Sequence, residues 1–352
     1  MIKKVFIVGL FLAQSVHAQE LSMRIDSFSY SEPYTLDGLL NNLSGDLSSG
    51  DVAMTFNEAK LTYAKDNWHI SVLSRLDYLL EFNSDTAAIF HSIENDIALD
   101  VGRNYAIDLK AHHMISRGVQ GGYKWHVDDE RWLQADVTLL KSSKILSGEL
   151  KGQWQETADG RQLTRLDLDY QYSKDLLFGE PVNHSDATGI AIDVAGAWQY
   201  SDQLSLDFKA QDLFSRIYWT DVPSTQASAN SINNVVITDG KVNVQPLLSG
   251  KTTKGNYDQK LPTRLLIGAN YQTNSHTLRA EIFQVASFTF PRVKYQYQAQ
   301  KDLKFQMGYD FKSQAVSAGA YTKYGFINLM ADDLSLKKAH TLGVSAGVNL
   351  KF

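Results

Sequence analysis

The sequence predicts an all-β fold, a transmembrane antiparallel up-and-down β-barrel of about 16 strands, within a range of roughly 14–18. Three observations support this prediction. Long segments alternate between apolar and polar residues, short turns connect most of these segments, and the last segment alternates without a break up to a terminal phenylalanine. Together they indicate strands that cross a bilayer rather than the shorter strands of a soluble sheet.

The alternation is clearest over 303–312, where large apolar residues occupy every second position and lysine, glutamine, glycine and aspartate occupy the others. A strand with this pattern has one apolar and one polar face. Most segments run for about 9–13 residues, close to the roughly 9–11 residues of a tilted membrane strand. The same alternation recurs at 68–78, 165–171, 204–209 and 293–298.

The C-terminal segment alternates from Thr341 to Phe352, with small or polar residues between the apolar ones. It resembles the terminal strand of bacterial outer-membrane barrels, in which a final aromatic residue and alternate apolar residues form a signal for the barrel-assembly machinery. We therefore expect that machinery to be a partner of this chain. The positions that carry the signal are Leu342, Val344, Val348, Leu350 and Phe352.

The N-terminus has the pattern of a cleavable secretory signal peptide. Lys3 and Lys4 precede an apolar run, and Val16-His17-Ala18 is a small-residue cleavage site. We predict a signal peptide at 1–18, an N-terminal segment at 19–51 that is either a plug or a first strand, and the barrel at 52–352. The expected location is the bacterial outer membrane, where lipid and lipopolysaccharide would surround the wall.

The composition excludes several classes of protein. The formal net charge is −5, and it becomes more negative when the two lysines of the signal peptide are removed. Nucleic-acid binding requires clustered basic residues, so we expect no nucleic-acid partner. The chain has no cysteine, which excludes disulfides and thiolate metal sites. No cofactor is expected.

Counting strands leaves a conflict. About seventeen candidates can be marked, among them 105–114, 118–127, 132–142 and 145–156, but single-chain barrels of bacteria normally have an even number. Counting back from the C-terminus places the long connection at 83–104 on the periplasmic side, which is unusual. An extra short strand at 97–102 would give eighteen strands. We favour about sixteen, with residues 19–51 outside the wall.

Charged residues on the polar faces should point into the lumen, because a charged side chain facing lipid at mid-membrane costs roughly 2–4 kcal/mol. Both signs occur, often two positions apart, which fits either a wet pore or a wall held by ion pairs. The predicted lumen-lining residues are His69, Arg75, Asp77, Asp108, Lys110, His112, Glu149, Lys151, Arg165, Asp167, Asp169, Asp207, Lys209, Arg279, Glu281, Lys294, Lys304 and Asp310.

Motifs for catalysis or metal binding are weak. The G-x-S-x-G pattern at 343–347 lies inside an alternating strand, whereas hydrolases need a strand–turn–helix elbow at this serine. His69, His112, Ser71 and Asp77 could share the lumen, so a lipid or lipopolysaccharide hydrolase remains an alternative, although we expect no enzyme. Acidic turns at 128–130 and 332–333 are more often solvated than Ca²⁺-bound.

The C-terminal third resembles the group of outer-membrane proteins related to the long-chain fatty acid transporter barrels. The resemblance lies in 261–264 (Leu-Pro-Thr-Arg) at the start of a strand, 268–271 (Gly-Ala-Asn-Tyr) within it, 331–334 (Ala-Asp-Asp-Leu) and 340–343 (His-Thr-Leu-Gly). It implies an N-terminal plug inside the barrel and the passage of hydrophobic compounds.

The leading functional hypothesis is a passive outer-membrane channel or uptake barrel for small molecules, with hydrophobic ones included. The first alternative is a closed barrel that binds a partner through the long connection at 220–262. The second alternative is the hydrolase. A channel should conduct ions or pass solutes, whereas a hydrolase should lose its activity when His69 or His112 is replaced.

Overall fold

The computed structural model describes residues 19–352 except 176–178, 180–181, 183–185, 232–234, 239–240 and 245–246. For 235–238 and 241–244 only the backbone is described. The predicted signal peptide at 1–18 lies outside the described residues. The helices of the described part are α1 (Leu36–Leu40) and α2 (Ser84–Asn95). Neither of these two is long and apolar enough to span a membrane.

The rest of the fold is antiparallel β-structure. The strands are β1 (Gln19–Ser31), β2 (Val52–Lys65), β3 (Trp68–Phe82), β4 (Asn104–His126), β5 (Arg131–Glu156), β6 (Gln162–Tyr172), β7 (Ala187–Gln199), β8 (Leu204–Asn230), β9 (Val235–Thr238), β10 (Lys241–Val244), β11 (Leu248–Gln259), β12 (Arg264–Thr273), β13 (His276–Val285), β14 (Phe288–Gln300), β15 (Leu303–Asp310), β16 (Ala315–Thr322), β17 (Gly325–Ala331) and β18 (Thr341–Lys351).

Fourteen of these strands form a closed wall, and β6 and β11 bring the sheet to sixteen. The predicted all-β barrel is therefore confirmed. The wall order follows the chain from β1 to β5, continues through β7, β8 and β12 to β18, and closes where β18 pairs with β1. Among the described strands, β9 and β10 form a separate two-stranded sheet.

The N-terminal segment begins as a wall strand. Residues 19–31 pair with β18 on one side and β2 on the other, so this part of 19–51 is a first strand and not a plug. The backbone N–H of Phe352 donates to the carbonyl oxygen of Gln19 at 2.9 Å. Both residues lie at one end of the barrel, called here the terminal end, and the opposite end is the loop end.

Two predicted strand reversals are wrong. The candidates 105–114 and 118–127 are one strand, β4, and 132–142 and 145–156 are one strand, β5. Their pairing continues through a single register shift between Ile115 and Ser116, where β5 carries one extra residue. A bulge of this kind absorbs the local break in alternation without reversing the chain. Residues 83–103 therefore lie at the loop end, contrary to the expected periplasmic side.

At the loop end the sheet extends beyond the barrel wall. The strand β6 pairs with the distal parts of β5 and β8, and β11 pairs with β8. The helix α2 covers the edge of β4, where Thr86 Oγ1 accepts from the Asp108 N–H at 2.9 Å. Covering an edge strand removes a site at which another strand could pair.

The outer face of the wall is apolar, as a lipid-facing surface requires. Aromatic side chains gather near the terminal end, where the rings of Trp198 and Tyr200 lie 5.1 Å apart and those of Tyr123 and Trp125 also lie 5.1 Å apart. Such a girdle marks the membrane interface of a transmembrane barrel. Exposed apolar residues on the wall include Ile25, Leu61, Val72, Val119, Val137, Leu206, Ile267, Leu278, Met307, Leu329 and Val348.

Candidate functional site: the barrel lumen

The apolar residues of β1 change faces along the strand. Met23 and Ile25 face outward and are 50% and 43% exposed, whereas Tyr30 is 5% exposed and projects inward with Phe28. The pairing of β1 with both neighbours is regular over this stretch. The change therefore comes from the sequence, in which apolar residues move from odd to even positions, and it places aromatic rings in the lumen.

The same change occurs in β2, β13 and β14, and together these residues form a cluster called here the apolar layer. It crosses the lumen, because Phe28 of β1 contacts Phe290 of β14 at 5.4 Å and Phe283 of β13 at 5.8 Å, although these strands are not neighbours in the wall. The members of the apolar layer are Phe28, Tyr30, Val52, Met54, Phe56, Leu79, Phe283, Val285, Phe288 and Phe290.

A charged belt lies next to the apolar layer, on the side of the terminal end. It begins at a break in β8, where the register with β7 shifts between Ile192 and Val194 and Asp212 has a φ of +55°. The backbone N–H of Asp212 donates to the Asp193 carboxylate at 2.8 Å. This local irregularity turns the Asp212 side chain, which regular alternation would direct to lipid, into the lumen.

Asp212 is the centre of a cross-lumen ion-pair network. The guanidinium of Arg75 on β3 donates two hydrogen bonds to it, at 2.9 and 2.8 Å, and a third to Asp77 at 2.6 Å. Arg264 of β12 lies 3.3 Å from the same carboxylate. The wall strands β4, β5 and β7 separate β3 from β8, so this network joins wall strands that are not neighbours.

A second group of ion pairs continues the charged belt over β8 and β12–β15. Arg279 pairs with Asp207 at 2.5 Å and with Glu281 at 2.7 Å. Glu281 also holds Lys294 at 2.5 Å. The glycine at 268 makes room for this network, because an added Cβ would lie 2.2 Å from Nη2 of Arg279.

A cavity of about 460 Å³ lies between the apolar layer and the belt, on the side of β15–β18. Short residues such as Ser317, Gly343 and Ser345 line it there and leave the lumen unfilled. Its lining combines aromatic rings with charged side chains. Phe28, Phe56 and Phe283 belong to the apolar layer, and the other rings are Tyr309, Tyr321 and Phe326. The cations are Arg24, Lys209, Arg264, Arg292 and Lys294, and the carboxylates are Asp26, Glu58, Glu281 and Asp310.

The structure divides the predicted lumen-lining residues into two sets. The set within the barrel wall is His69, Arg75, Asp77, His112, Asp207, Lys209, Arg279, Glu281, Lys294, Lys304 and Asp310. The set on the extension beyond the wall is Asp108, Lys110, Glu149, Lys151, Arg165, Asp167 and Asp169. Because the strands of the second set continue past the wall, their residues do not join the charged belt.

Sequence reasoning missed Glu58, Asp193, Asp212, Arg264 and Arg292, and with them the apolar layer. A signal for Asp212 was present in the sequence. With regular alternation, Asp212 would lie on the same face as Leu206 and Phe208 and would face lipid. A charged residue at such a position indicates a bulge that turns it inward. The signal for the apolar layer was the change of phase within β1, β2, β13 and β14.

The residues considered for catalysis do not form a bonded catalytic group. His69 lies 3.2 Å from the Asp136 carboxylate, and the Ser71 hydroxyl is bonded to the Thr62 hydroxyl at 2.8 Å. His112 Nε2 is buried without a hydrogen-bond partner among the described residues. Within the described ranges no serine hydroxyl is bonded to either histidine, and residues 343–347 lie in the paired strand β18.

The acidic turns are likewise engaged. Hydrogen bonds from the Arg131 guanidinium lower the pKa of the Asp128 carboxyl, and Asp332 accepts from the backbone N–H groups of His340 and Thr341. In the part of the chain that the structure describes, no group of three or more His, Asp or Glu side chains is placed to hold a metal ion.

No protein-family model matches the chain, and no curated protein matches it significantly. Several solved structures are similar to it. The TodX deltaS2S3 mutant, a monoaromatic hydrocarbon channel, matches over 96% of this chain and 91% of its own with 13% identity and a TM-score of 0.45. The Pseudomonas putida toluene transporter TodX matches over 96% and 89%, with 13% identity and a TM-score of 0.42.

A Pseudomonas aeruginosa FadL homologue matches over 95% of this chain and 88% of its own, with 13% identity and a TM-score of 0.28. All three TM-scores lie below 0.5, so the fold rests on the strand pairing of the chain itself. By that pairing and by its apolar outer face, the chain is a closed antiparallel β-barrel of the outer-membrane type.

Proposed function

We propose that this chain is a passive outer-membrane uptake barrel for small, largely apolar molecules. The apolar layer is the observation that carries the proposal. A channel for ions or sugars keeps a polar, wet lumen, whereas here Phe28, Phe283 and Phe290 meet across the lumen. An apolar solute that enters this layer leaves water for aromatic and aliphatic side chains, which is favourable.

The route through the barrel would be gated by side chains. The apolar layer and the charged belt both cross the lumen, so ions should find no steady path. A small apolar molecule can pass where rings and the flexible Met54 side chain repack around it, because hydrophobic cores tolerate such rearrangement at modest free-energy cost. The cavity between the apolar layer and the charged belt supports this route, since a solute could bind there after passing the layer.

The proposal includes the surroundings expected from the sequence. The chain would be exported with its signal peptide at 1–18, and the barrel-assembly machinery would read Leu342, Val344, Val348, Leu350 and Phe352. Outer-membrane lipid and lipopolysaccharide would then cover the wall. The two TodX structures named above are described as a monoaromatic hydrocarbon channel and a toluene transporter, but the proposal depends on the lumen of this chain.

The test uses vesicles whose outer leaflet contains lipopolysaccharide, since apolar molecules cross plain phospholipid too easily. Purified barrel is inserted, and the entry rates of an apolar fluorescent aromatic amine and of a disaccharide are measured. We expect the barrel to speed entry of the amine and not of the sugar, with little ion conductance in a planar bilayer. Entry of the amine no faster than in empty vesicles would contradict the proposal.

A pair of matched variants locates the route. Met54→Gln puts a polar amide into the apolar layer and should slow entry of the amine. Met23→Gln makes the same change on the lipid-facing side of the wall and should leave that rate unchanged. Equal rates for the two folded variants would place the route outside the apolar layer.

A further inference from the structure

We infer that the lumen cavity binds a small aromatic monocarboxylate and that Lys209 holds its carboxylate. The inference depends on the proposed function only for the way in, because a ligand must reach the lumen. The site itself follows from the charges and rings that line the cavity. It specifies an anionic class of substrate that a purely apolar route would not require.

One of the cations that line the cavity has no ion-pair partner among the described residues. Five cations and four carboxylates line the cavity. Four of the five cations have a carboxylate partner: Arg24 lies 2.5 Å from Asp26, Arg264 lies 3.3 Å from Asp212, Arg292 lies 2.6 Å from Asp310 and Lys294 lies 2.5 Å from Glu281. The remaining carboxylate, Glu58, lies 3.4 Å from Lys60.

Lys209 is the cation left over. Among the residues that the structure describes, no carboxylate lies within 4 Å of its ammonium and no hydrogen bond is made to it. The charges that act on it electrostatically include Lys60 and Arg24 as well as Glu58 and Asp193. An ammonium inside the barrel without a carboxylate partner is unfavourable, so an anion in the cavity would be stabilised by Lys209.

The aromatic residues that line the cavity favour an aromatic ring as the apolar part of the ligand. The apolar layer contributes Phe28, Phe56 and Phe283 to the lining of the cavity, and β17 contributes Phe326. Aromatic rings pack favourably edge-on or offset against one another. The cavity volume of about 460 Å³ falls in the usual range for small-molecule sites. A single ring that carries one carboxylate satisfies both the rings and the surplus ammonium.

The test measures equilibrium binding of radiolabelled benzoate and benzamide to the folded barrel in detergent. The two compounds have nearly the same shape, but only benzoate carries a charge at neutral pH. We expect benzoate to bind about tenfold to a hundredfold more tightly, as a charge-assisted hydrogen bond implies. Equal affinity of the unaltered protein for the two compounds would overturn the inference.

Variants then assign the effect to one residue. Lys209→Met should weaken benzoate binding by a similar factor and leave benzamide binding unchanged, while Lys209→Arg should restore part of the affinity. Lys304→Met is the matched control, because Lys304 lies on β15 outside the cavity lining and has no ion pair among the described residues. Unaltered benzoate binding by folded Lys209→Met would also overturn the inference.

The two proposals fail in different ways. If the apolar amine enters vesicles but benzoate is not preferred, only the carboxylate site is wrong. If neither compound binds and the amine does not enter, the uptake function itself is wrong. Should Lys209→Met fail to fold, the comparison of benzoate with benzamide on the unaltered barrel still decides the question.

Discussion

The apolar layer and the charged belt cross the same lumen one above the other, but they are held together by different forces. The apolar layer is made of rings and aliphatic side chains that pack mainly against one another. The charged belt is made of buried ion pairs, in which Asp212 and Asp310 have side chains no more than 1% exposed. One layer can deform around a solute, whereas the other depends on each pair staying intact.

This difference indicates a division of labour. Hydrophobic contacts are non-directional, so an apolar layer can admit molecules of varied shape. Buried charges are stable only while paired and hydrogen-bonded, so a belt of them fixes the distance between the wall strands that it joins and resists opening. The apolar layer would select what enters, and the charged belt would keep the barrel in shape.

The largest effect is expected when Asp212, the central carboxylate of the charged belt, is replaced. Asp212→Asn leaves Arg75 and Arg264 buried without their shared carboxylate, and breaking a buried pair in this way costs about 3–5 kcal/mol of the free energy of unfolding. Urea unfolding of the barrel in detergent micelles, followed by tryptophan fluorescence, measures this loss.

The control for Asp212→Asn is Asp258→Asn. Asp258 pairs with Arg216 outside the lumen, and both side chains are nearly half exposed. An exposed pair contributes about 0–1 kcal/mol. A folded Asp212→Asn variant no less stable than Asp258→Asn would show that the belt does not hold the walls together.

The next effect concerns the apolar layer. Phe290 is fully buried between β1 and β13, and Phe290→Ala should reduce the free energy of unfolding by about 3 kcal/mol. Because the charged belt still crosses the lumen on the side of the terminal end, the Phe290→Ala variant should remain nearly non-conducting in a planar bilayer. Phe305→Ala, on the lipid-facing side, is the matched control. Steady ion flow through Phe290→Ala alone would mean that the belt is not a second barrier.

A smaller effect is expected where the two layers meet. The guanidinium of Arg292 pairs with Asp310 and lies 4.7 Å from the ring centre of Phe283. Arg292→Lys keeps the charge but loses the planar group that makes both contacts, so a loss of about 1–2 kcal/mol is expected. Arg24→Lys is the control, because Arg24 also joins an aspartate and a ring but is largely exposed. Equal losses in the two variants would indicate that burial adds nothing.

The sequence predicted the barrel because alternation is a property of single strands that needs no tertiary information. It did not predict the long strands β4 and β5 as single units, since a bulge and a turn both interrupt the alternation. From the polar face, the sequence suggested that charges such as Arg75 and Glu281 point inward, and the structure places both in the ion pairs of the charged belt. Their partners Asp212 and Arg292 depend on a bulge and on contacts across the lumen, and these are set by the shape of the closed wall.

The smallest predicted effect concerns the ion pair between Glu32 and Lys312 at the loop end of the barrel. This pair is more exposed than the pair of Arg75 with Asp212 in the charged belt. Burial alone would raise the pKa of Glu32, but the Lys312 ammonium at 2.5 Å and the Asp51 backbone N–H lower it below the usual value for a glutamate. The stability from this contact is therefore present above the pKa of about 4.3 of an unfolded glutamate and is lost as pH falls through the lower folded-state pKa. Comparing unfolding free energies at pH 7 and pH 3, Glu32→Gln should show a pH-dependent loss smaller by about 1 kcal/mol or less. Glu94 is an exposed glutamate of α2 without an ion pair among the described residues, so Glu94→Gln should keep the full loss. The same loss in both variants would show that the contact of Glu32 with Lys312 adds no pH-dependent stability.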